Sequence, residues 1–339
     1  MIQGWILGWL LASLSAPQMQ EITTLLQRGQ MAEALAMLEP IAKRYPKDPI
    51  VAGLLGRARL HAGDAKGAIA PLQTSLKQLT TDGEGFSNLG VALMQTKNTK
   101  EAAQAFAQAV VLMPRNAQAW RNLAGAYTHL NRQGDASKAW KRYISFKPQD
   151  GEARCVYGGL LLASDQVRDA AIHLRFGSQT TQDIVCLHDY ADTLGRLKQP
   201  QKALEILDRL IRLDERNAHA YYLRAYILID EGPQSASQAL KALETSIKIA
   251  PKRAASHHLN GYILERLDRR EEALLAYARA VDLEPKNMTY QQAKAIARVH
   301  IGEGDKAQKS LHQILRKQPK NDDVRRALAH VYMNAKNWK

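Results

Sequence analysis

The sequence lacks the residue patterns that define several protein classes. It has 2 cysteines among 339 residues, too few for a disulfide-stapled mini-protein or a zinc ribbon. Aromatic residues make up 6% and charged residues 24%, a balance typical of a soluble globular chain and not of a collagen or a disordered tail. After the first twenty residues no segment has the ~20 consecutive apolar residues that a membrane span needs. The composition therefore predicts a folded, water-facing protein.

Catalytic and cofactor-binding motifs are also missing. No Gly-x-x-x-x-Gly-Lys-Ser/Thr loop, His-Glu-x-x-His or Gly-x-Ser-x-Gly occurs. His257 and His258 are adjacent, which places them about 100° apart on a helix and makes them poor joint metal ligands. His188 and Asp192 stand one helical turn apart, where a surface hydrogen bond is expected before an acid–base couple. We expect no enzyme activity, cofactor, metal or small-molecule substrate.

The first sixteen residues are uncharged and mostly apolar. Residues 5–12 contain no polar side chain, and the small residues Ser13, Ser15 and Ala16 follow, as at a signal-peptidase site. The run is short for a membrane span, and no Lys or Arg precedes it. We expect a signal peptide or an N-terminal hydrophobic anchor over 1–16, and hence an exported protein, periplasmic or membrane-anchored. The alternative is a helix that covers the open end of the core, which would leave the protein cytoplasmic.

Positive charge is concentrated near the C-terminus. The chain carries 47 Lys+Arg and 33 Asp+Glu, a net charge of +14. Residues 286–339 hold 12 of the basic residues and 4 of the acidic ones, which is more than half of the excess. A basic segment of this kind favours an acidic partner surface, whether on protein, nucleic acid, acidic polysaccharide or membrane headgroups.

Small residues recur at a period close to 34 residues. Successive alanines are separated by 34, 34, 34, 34, 33, 36, 34 and 34 residues, at Ala34, Ala68, Ala102, Ala136, Ala170, Ala203, Ala239, Ala273 and Ala307. A large apolar residue follows each alanine after four positions, and proline follows six of them after twelve. A small residue lets two helices approach, a large one fills the adjoining groove, and proline ends the second helix. Each period therefore predicts two helices that must be buried against the next pair.

The period resembles the tetratricopeptide repeat, a helix–turn–helix unit. The third and fourth periods are nearest to its pattern, with Phe86, Leu89, Gly90, Ala102, Phe106, Ala109 and Pro114 in one and Trp120, Leu123, Tyr127, Ala136, Trp140 and Pro148 in the other. The resemblance covers about residues 15–339. It implies an all-α, right-handed α-α superhelical solenoid of about nine helix pairs plus a C-terminal half repeat, extending over 17–339 with its basic part at 286–339. The expected unit starts are Ser15, Pro49, Gly83, Ala117, Gly151, Ile184, Ala218, Ala254, Met288 and, for the half repeat, Asp322.

Two features depart from a uniform repeat. The seventh unit contains two extra residues around Gly232 and Pro233. Cys155 and Cys186 fall in the first helices of successive units, at places that differ by two residues. We expect two unpaired thiols, and a disulfide is the alternative if the protein is exported.

In tetratricopeptide repeat proteins the first helices of successive units line a concave groove where partners dock. The resemblance therefore implies a partner-binding groove formed by Asn88, Arg121, Asn122, His188, Asp192, Tyr222, Tyr226, His258 and Tyr262. The tyrosines, together with Leu223 and Leu259, would form an aromatic patch suited to an apolar or extended peptide. The alternative is that these tyrosines pack between helices as ordinary core.

The sequence thus favours a non-catalytic scaffold that binds a segment of a protein partner in its groove, for example in an envelope assembly or secretion system. The alternative function is a polyanion binder that uses the basic residues 286–339. Aromatic residues are few there, with only Tyr290, Tyr332 and Trp338, so base stacking on nucleic acid is poorly supported.

Overall fold

The structure, a computed structural model, describes residues 14–335, and within them it contains nineteen α-helices and no strand. The predicted leader over 1–16 lies outside the described residues except for its last three, and so does Trp338. The helices are α1 Ala16–Gln27, α2 Met31–Arg44, α3 Pro49–His61, α4 Ala65–Leu76, α5 Gly83–Gln95, α6 Thr99–Leu112, α7 Ala117–His129, α8 Gln133–Phe146, α9 Gly151–Ala163, α10 Val167–Thr180, α11 Ile184–Arg196, α12 Pro200–Leu213, α13 Ala218–Asp230, α14 Pro233–Ile249, α15 Ala254–Arg266, α16 Arg270–Leu283, α17 Met288–His300, α18 Gly304–Lys317 and α19 Asp322–Ala335.

The odd-numbered helices are the first helices of nine successive pairs, and α19 is the half repeat. They begin at the predicted unit starts, except that α1 begins at Ala16, one residue after its N-cap Ser15. The all-α class with nine helix pairs and a half repeat is confirmed. None of the helices within 14–335 combines the length and apolar character required to span a bilayer.

The chain divides into two compact units that each contain several repeats. We call residues up to Leu160 the first unit and residues from Leu161 the second unit. In the first unit, α3 packs on α4, α5 on α6 and α7 on α8, and each pair contacts the next. In the second unit, the pairs α11–α12, α13–α14, α15–α16 and α17–α18 pack in the same way. The prediction of one solenoid over 17–339 stays a prediction.

Close helix approach explains why the repeat alternates small and large residues. Ala68, Ala102 and Ala273 have no exposed surface, and Phe106 is 2% exposed. At Gly90 an added Cβ would lie 2.5 Å from Cε1 of Phe106, so the aromatic ring packs directly on the backbone of α5. The predicted pairing of a small residue with a large one is therefore the contact that holds each pair together.

An Asp or Asn side chain caps most of the first helices. At eight of them this side chain accepts a backbone N–H of the first turn; the residues are Asp48, Asp82, Asn116, Asp150, Asp183, Asn217, Asn287 and Asn321. Such a cap stabilises a helix by about 1 kcal/mol. Helix α15 is different, because its N-cap residue is Arg253 and no side chain caps it.

The turn inside each pair places one residue in the left-handed region. Its φ lies between 54° and 109° at Gly29, Gly63, Lys97, Asn131, Asp165, Lys198, Gly232, Asp268 and Gly302. Four of the nine positions are glycine, the residue that adopts this conformation without steric cost.

Two glycine-to-alanine substitutions distinguish the steric cost of a positive φ from effects of side-chain packing. We expect Gly63→Ala to lower the free energy of unfolding by about 1 kcal/mol, because its φ of 89° is unfavourable for a residue with Cβ. Gly125→Ala, inside α7, should raise it by about 0.5–1 kcal/mol. No atom lies within 4 Å of the added Cβ at either site. Urea unfolding of both variants tests this, and changes of the same sign would contradict it.

Neither cysteine is a free thiol. Cys155 and Cys186 are both disulfide-bonded, so the expectation of two unpaired thiols is wrong.

Candidate partner-binding groove

The first helices of the second unit place equivalent side chains in rows. Helices α11, α13, α15 and α17 are each 13 residues long. Their fifth residues are His188, Tyr222, His258 and Gln292, and their ninth residues are Asp192, Tyr226, Tyr262 and Ile296. Because the four helices are equal in length, residues with the same place in their helices form rows across the repeats. The types of residue in these rows determine the chemistry of the surface.

Two tyrosines in the ninth-residue row are exposed. Tyr226 is 51% and Tyr262 41% exposed. Arg266 donates a hydrogen bond to the Tyr262 hydroxyl at 3.2 Å, and its guanidinium carbon lies 5.9 Å from the centre of that ring. Neither ring is core, whereas Tyr222 is half-buried and packs against the core of its unit.

The two leucines predicted to complete the aromatic patch are core residues. Leu223 and Leu259 are each 6% exposed. Leu259 belongs to a cluster with Leu243 and Ile263. An apolar side chain at the sixth position of these helices gains more by packing between helices than by facing water. The accessible patch therefore consists of Tyr226 and Tyr262 without the leucines.

A stack of rings lies beside this patch. The imidazoles of His188 and His219 are stacked with centroids 3.9 Å apart, and His219 stacks on Tyr222 at 5.7 Å. The guanidinium carbon of Arg253 lies 4.6 Å from the centre of the Tyr222 ring, and Arg253 also contacts Nδ1 of His219. His219 thus lies between the predicted site residues His188 and Tyr222, and Arg253 contacts Tyr222. Neither His219 nor Arg253 was among the predicted site residues.

Burial and neighbouring cations keep His219 uncharged. Burial, with smaller contributions from His188 and Arg253, lowers the pKa of His219 to about 3. Burial is also the main cause that lowers the pKa of Arg253 and raises that of Tyr222. A neutral imidazole can accept a hydrogen bond from Arg253 at Nδ1.

The shift at His219 predicts a loss of stability in acid. Below the unfolded-state pKa of ~6.5 the unfolded chain binds a proton that the folded chain does not, so stability falls as pH drops towards the folded value. We expect a loss of about 1 kcal/mol between pH 7 and pH 5, less than the full linkage because the ring is partly solvated. Urea midpoints at both pH values should differ less for His219→Gln than for the wild type. An equal difference would contradict the prediction.

His258 lies between two tyrosines instead of facing an open groove. Its ring centroid is 4.9 Å from that of Tyr290 and 5.5 Å from that of Tyr277. Burial lowers the pKa of His258. The Tyr277 hydroxyl donates to Glu265 at 2.9 Å. His258 therefore packs in an aromatic cluster with Tyr277 and Tyr290.

A pocket adjoins Tyr262. It has a volume of about 340 Å³ and is lined by Tyr262, Glu265, Arg266, Arg270 and His300. The carboxylate of Glu265 is also 3.1 Å from Nδ1 of His300, and Arg270 forms an ion pair with Asp268 at 2.8 Å. Arg266 is the lining cation without an ion pair among the described residues.

The predicted pairing of His188 with Asp192 is wrong. Nδ1 of His188 lies 3.6 Å from Oδ1 of Asp189, and no hydrogen bond joins His188 to Asp192 in the part of the chain described. Nε2 of His188 is buried and has no hydrogen-bond partner among the described residues. Burial raises the pKa of Asp192.

The predicted groove residues of the first unit form a separate, polar surface. Asn88 is half-buried on α5. Arg121 forms an ion pair with Glu152 at 3.6 Å, and Asn122 accepts a hydrogen bond from Gln118 at 2.8 Å. Arg121 and Asn122 are already engaged within the first unit, and none of the three residues is aromatic.

Sequence reasoning missed Arg253, His219 and Tyr290. It took only the middle positions of each first helix, whereas Arg253 precedes α15 and the other two are the second and third residues of α13 and α17. The sequence does hold one signal for Arg253, because it replaces the usual Asp or Asn. No cluster of three or more His, Cys, Asp or Glu suited to a metal is found between residues 14 and 335.

Comparisons with known proteins agree with this fold. Family models described as tetratricopeptide repeat match residues 25–88, 87–151 and 254–287. The structure of PilF from Pseudomonas aeruginosa is 19% identical, with a TM-score of 0.50 over 63% of this chain and 96% of that one. YrrB, described as a TPR protein with an unusual peptide-binding site, is 21% identical, with a TM-score of 0.47 over 57% of this chain and 98% of that one. The Cut9 complex with Hcn1 matches at 14% identity and a TM-score of 0.49, over 85% of this chain and 56% of that one. No curated protein matches the chain.

Proposed function

The chain belongs to the tetratricopeptide repeat family, whose general role is that of a protein–protein interaction scaffold, and from this premise we propose that its second unit binds an extended segment of a protein partner. The segment lies across α11, α13, α15 and α17. Its main contact is the surface of Tyr226 and Tyr262, which we call the tyrosine pair. The scaffold itself does no chemistry.

The exposure of the tyrosine pair carries this proposal. Two large aromatic side chains, 51% and 41% exposed, stand at equivalent positions of adjacent helices. Tyrosine is enriched among the residues that contribute most to binding at protein interfaces, and two of them on neighbouring first helices suit an extended segment. Tyrosine adds a hydroxyl that can bond to a peptide backbone.

Selection from a random peptide library tests the proposal. We expect the full-length protein to enrich peptides with apolar side chains, and their binding should survive a wash at high salt because apolar contact dominates. The same selection with Tyr226→Ala/Tyr262→Ala should lose these peptides. A failure of the wild type to enrich any peptide, or equal enrichment by the variant, would overturn the groove function.

A second candidate function rests on the basic end of the second unit. Lys309, Arg316, Lys317 and Lys320 are exposed and form no ion pair among the described residues, whereas Arg325 and Arg326 are paired with Asp322 and Asp323. We propose this surface as the polyanion-binding alternative. Heparin affinity that falls steeply with salt, and falls further in Lys309→Gln/Arg316→Gln, would favour it. Salt-independent peptide binding without heparin affinity would exclude it.

We propose that the protein works outside the cytoplasm, for example in an envelope assembly or secretion system. Two features support this: the apolar, uncharged first sixteen residues and the disulfide-bonded state of Cys155 and Cys186. Alkylation of thiols in fractionated cells, read by intact mass, tests it. A soluble cytoplasmic product with two alkylated cysteines would contradict it.

A further inference from the structure

Arg253 breaks a regular stabilising feature of the fold. Eight first helices have an Asp or Asn cap, and at α15 this position holds an arginine that caps nothing. A cap that is absent at one repeat lowers stability there, unless the replacing residue makes other contacts. Capping of α15 therefore does not explain why an arginine stands at position 253.

The contacts of Arg253 point towards the binding surface. Its guanidinium carbon lies 4.6 Å from the centre of the Tyr222 ring, and the group contacts Nδ1 of His219. The arginine at the start of α15 thus contacts two side chains of α13, the helix that also carries Tyr226.

No carboxylate balances this charge. Arg253 is half-buried, and it forms no ion pair with any residue in the described range. Asp192 acts electrostatically on Tyr222, yet no contact joins it to Arg253. The guanidinium has five N–H donors, and His219 is its single hydrogen-bond acceptor among the described residues. The donors that His219 does not use can bind an anion, and a carboxylate would balance a charge that partial burial disfavours.

We propose that Arg253 binds a carboxylate of the partner segment, so that the groove selects an acidic peptide with an apolar anchor. This rests on the proposed groove function and names the ligand class of that site. The ring of Tyr222 and the imidazole of His219 hold the guanidinium in place, which favours a paired hydrogen bond to a carboxylate.

The spacing of the two contacts sets the length of the recognised segment. Arg253 and Tyr262 are nine residues apart along α15, or about 13 Å at 1.5 Å per residue. An extended chain covers that distance in about four residues. We therefore expect the acidic residue to stand at least about four positions from the apolar residue on Tyr262.

Peptide selection with matched variants tests the proposal. The wild type, Arg253→Asn and Arg279→Gln each select from the same random library, and the frequency of Asp and Glu in each pool is measured. Arg253→Asn restores the usual cap, so its midpoint of thermal unfolding should rise while acidic enrichment is lost. Arg253→Lys serves as a second variant, which keeps the charge without the paired donors. Arg279→Gln is the control, because Arg279 is an exposed arginine on the second helix α16 and its loss should leave the enrichment in place.

Synthetic peptides from the wild-type pool measure how much the carboxylate contributes to affinity. They also show whether it belongs to a side chain or to the C-terminus of the peptide. Asp→Asn in the peptide should weaken binding to the wild type about 10- to 100-fold and leave binding to Arg253→Asn unchanged. A C-terminal amide should change nothing if the carboxylate belongs to a side chain, and should mimic Asp→Asn if it is the chain end.

Other results would overturn the inference. Peptide enrichment without acidic preference, or a preference that survives in Arg253→Asn, removes the carboxylate role but leaves the groove function standing. A lower midpoint for Arg253→Asn with unchanged preference would make the arginine structural. If the wild type enriches no peptide at all, the groove function itself fails, and this inference fails with it.

Discussion

Tyr226→Ala/Tyr262→Ala should bind peptides selected on the wild type about 100-fold more weakly, with no loss of helix content. Each tyrosine offers a large, rigid apolar surface at low entropic cost, and truncation of an interface tyrosine costs about 1–2 kcal/mol, so the two together cost about 3 kcal/mol. Because the two rings are exposed, their removal leaves the core of the unit intact. Titration calorimetry with the peptides and circular dichroism of the free protein measure both quantities.

A matched control distinguishes the tyrosine pair from general surface hydrophobicity. Leu275 is 71% exposed on α16, a second helix of the same unit. Leu275→Ala removes apolar surface of similar exposure and should leave peptide affinity unchanged. If Leu275→Ala weakens binding as much as the tyrosine substitutions do, or if the double variant binds normally, the groove assignment is wrong.

Phe106→Ala should lower the free energy of unfolding of the first unit by about 3–5 kcal/mol. The side chain is 2% exposed and its ring packs on the backbone at Gly90, so the cavity cannot close by helix movement alone. Trp120 and Trp140 on the adjacent pair α7–α8 report the transition by fluorescence.

Val111 on the same helix supplies the control for this effect. It is 72% exposed, and Val111→Ala should change the unfolding free energy by less than about 0.5 kcal/mol. Urea curves of the two variants should therefore separate widely. Similar midpoints would show that the pairing of Gly90 with Phe106 contributes little to the fold.

The repeat made the fold predictable because its signals are local. An alanine, a large apolar residue four positions on and a terminal proline each act within one helix pair, so their spacing fixes the helix starts before any tertiary contact is known. The start of α15 at Ala254 was predicted even though two extra residues precede it in the seventh unit.

The binding surface was predictable only in part, because side-chain packing decides it. Tyr226 and Tyr262 were placed correctly on the accessible row, since helical spacing sets their direction. Leu223 and Leu259 were misplaced, because burial depends on the neighbouring helices and not on the position within one helix. The same limit hid the contact between Arg253 and His219, which joins residues 34 positions apart.

The two extra residues of the seventh repeat do not change the ninth-residue row of the first helices. They lengthen α14 to 17 residues, while α13 and α15 both keep 13. Tyr226 and Tyr262 therefore hold the ninth place in their helices despite the change in repeat length between them. In this chain the second helix absorbs the insertion, and the spacing of side chains along the first helices on either side is unchanged. A foreign loop or tag should accordingly be tolerated at the junction before α14, and the ligand-reading face would keep its register.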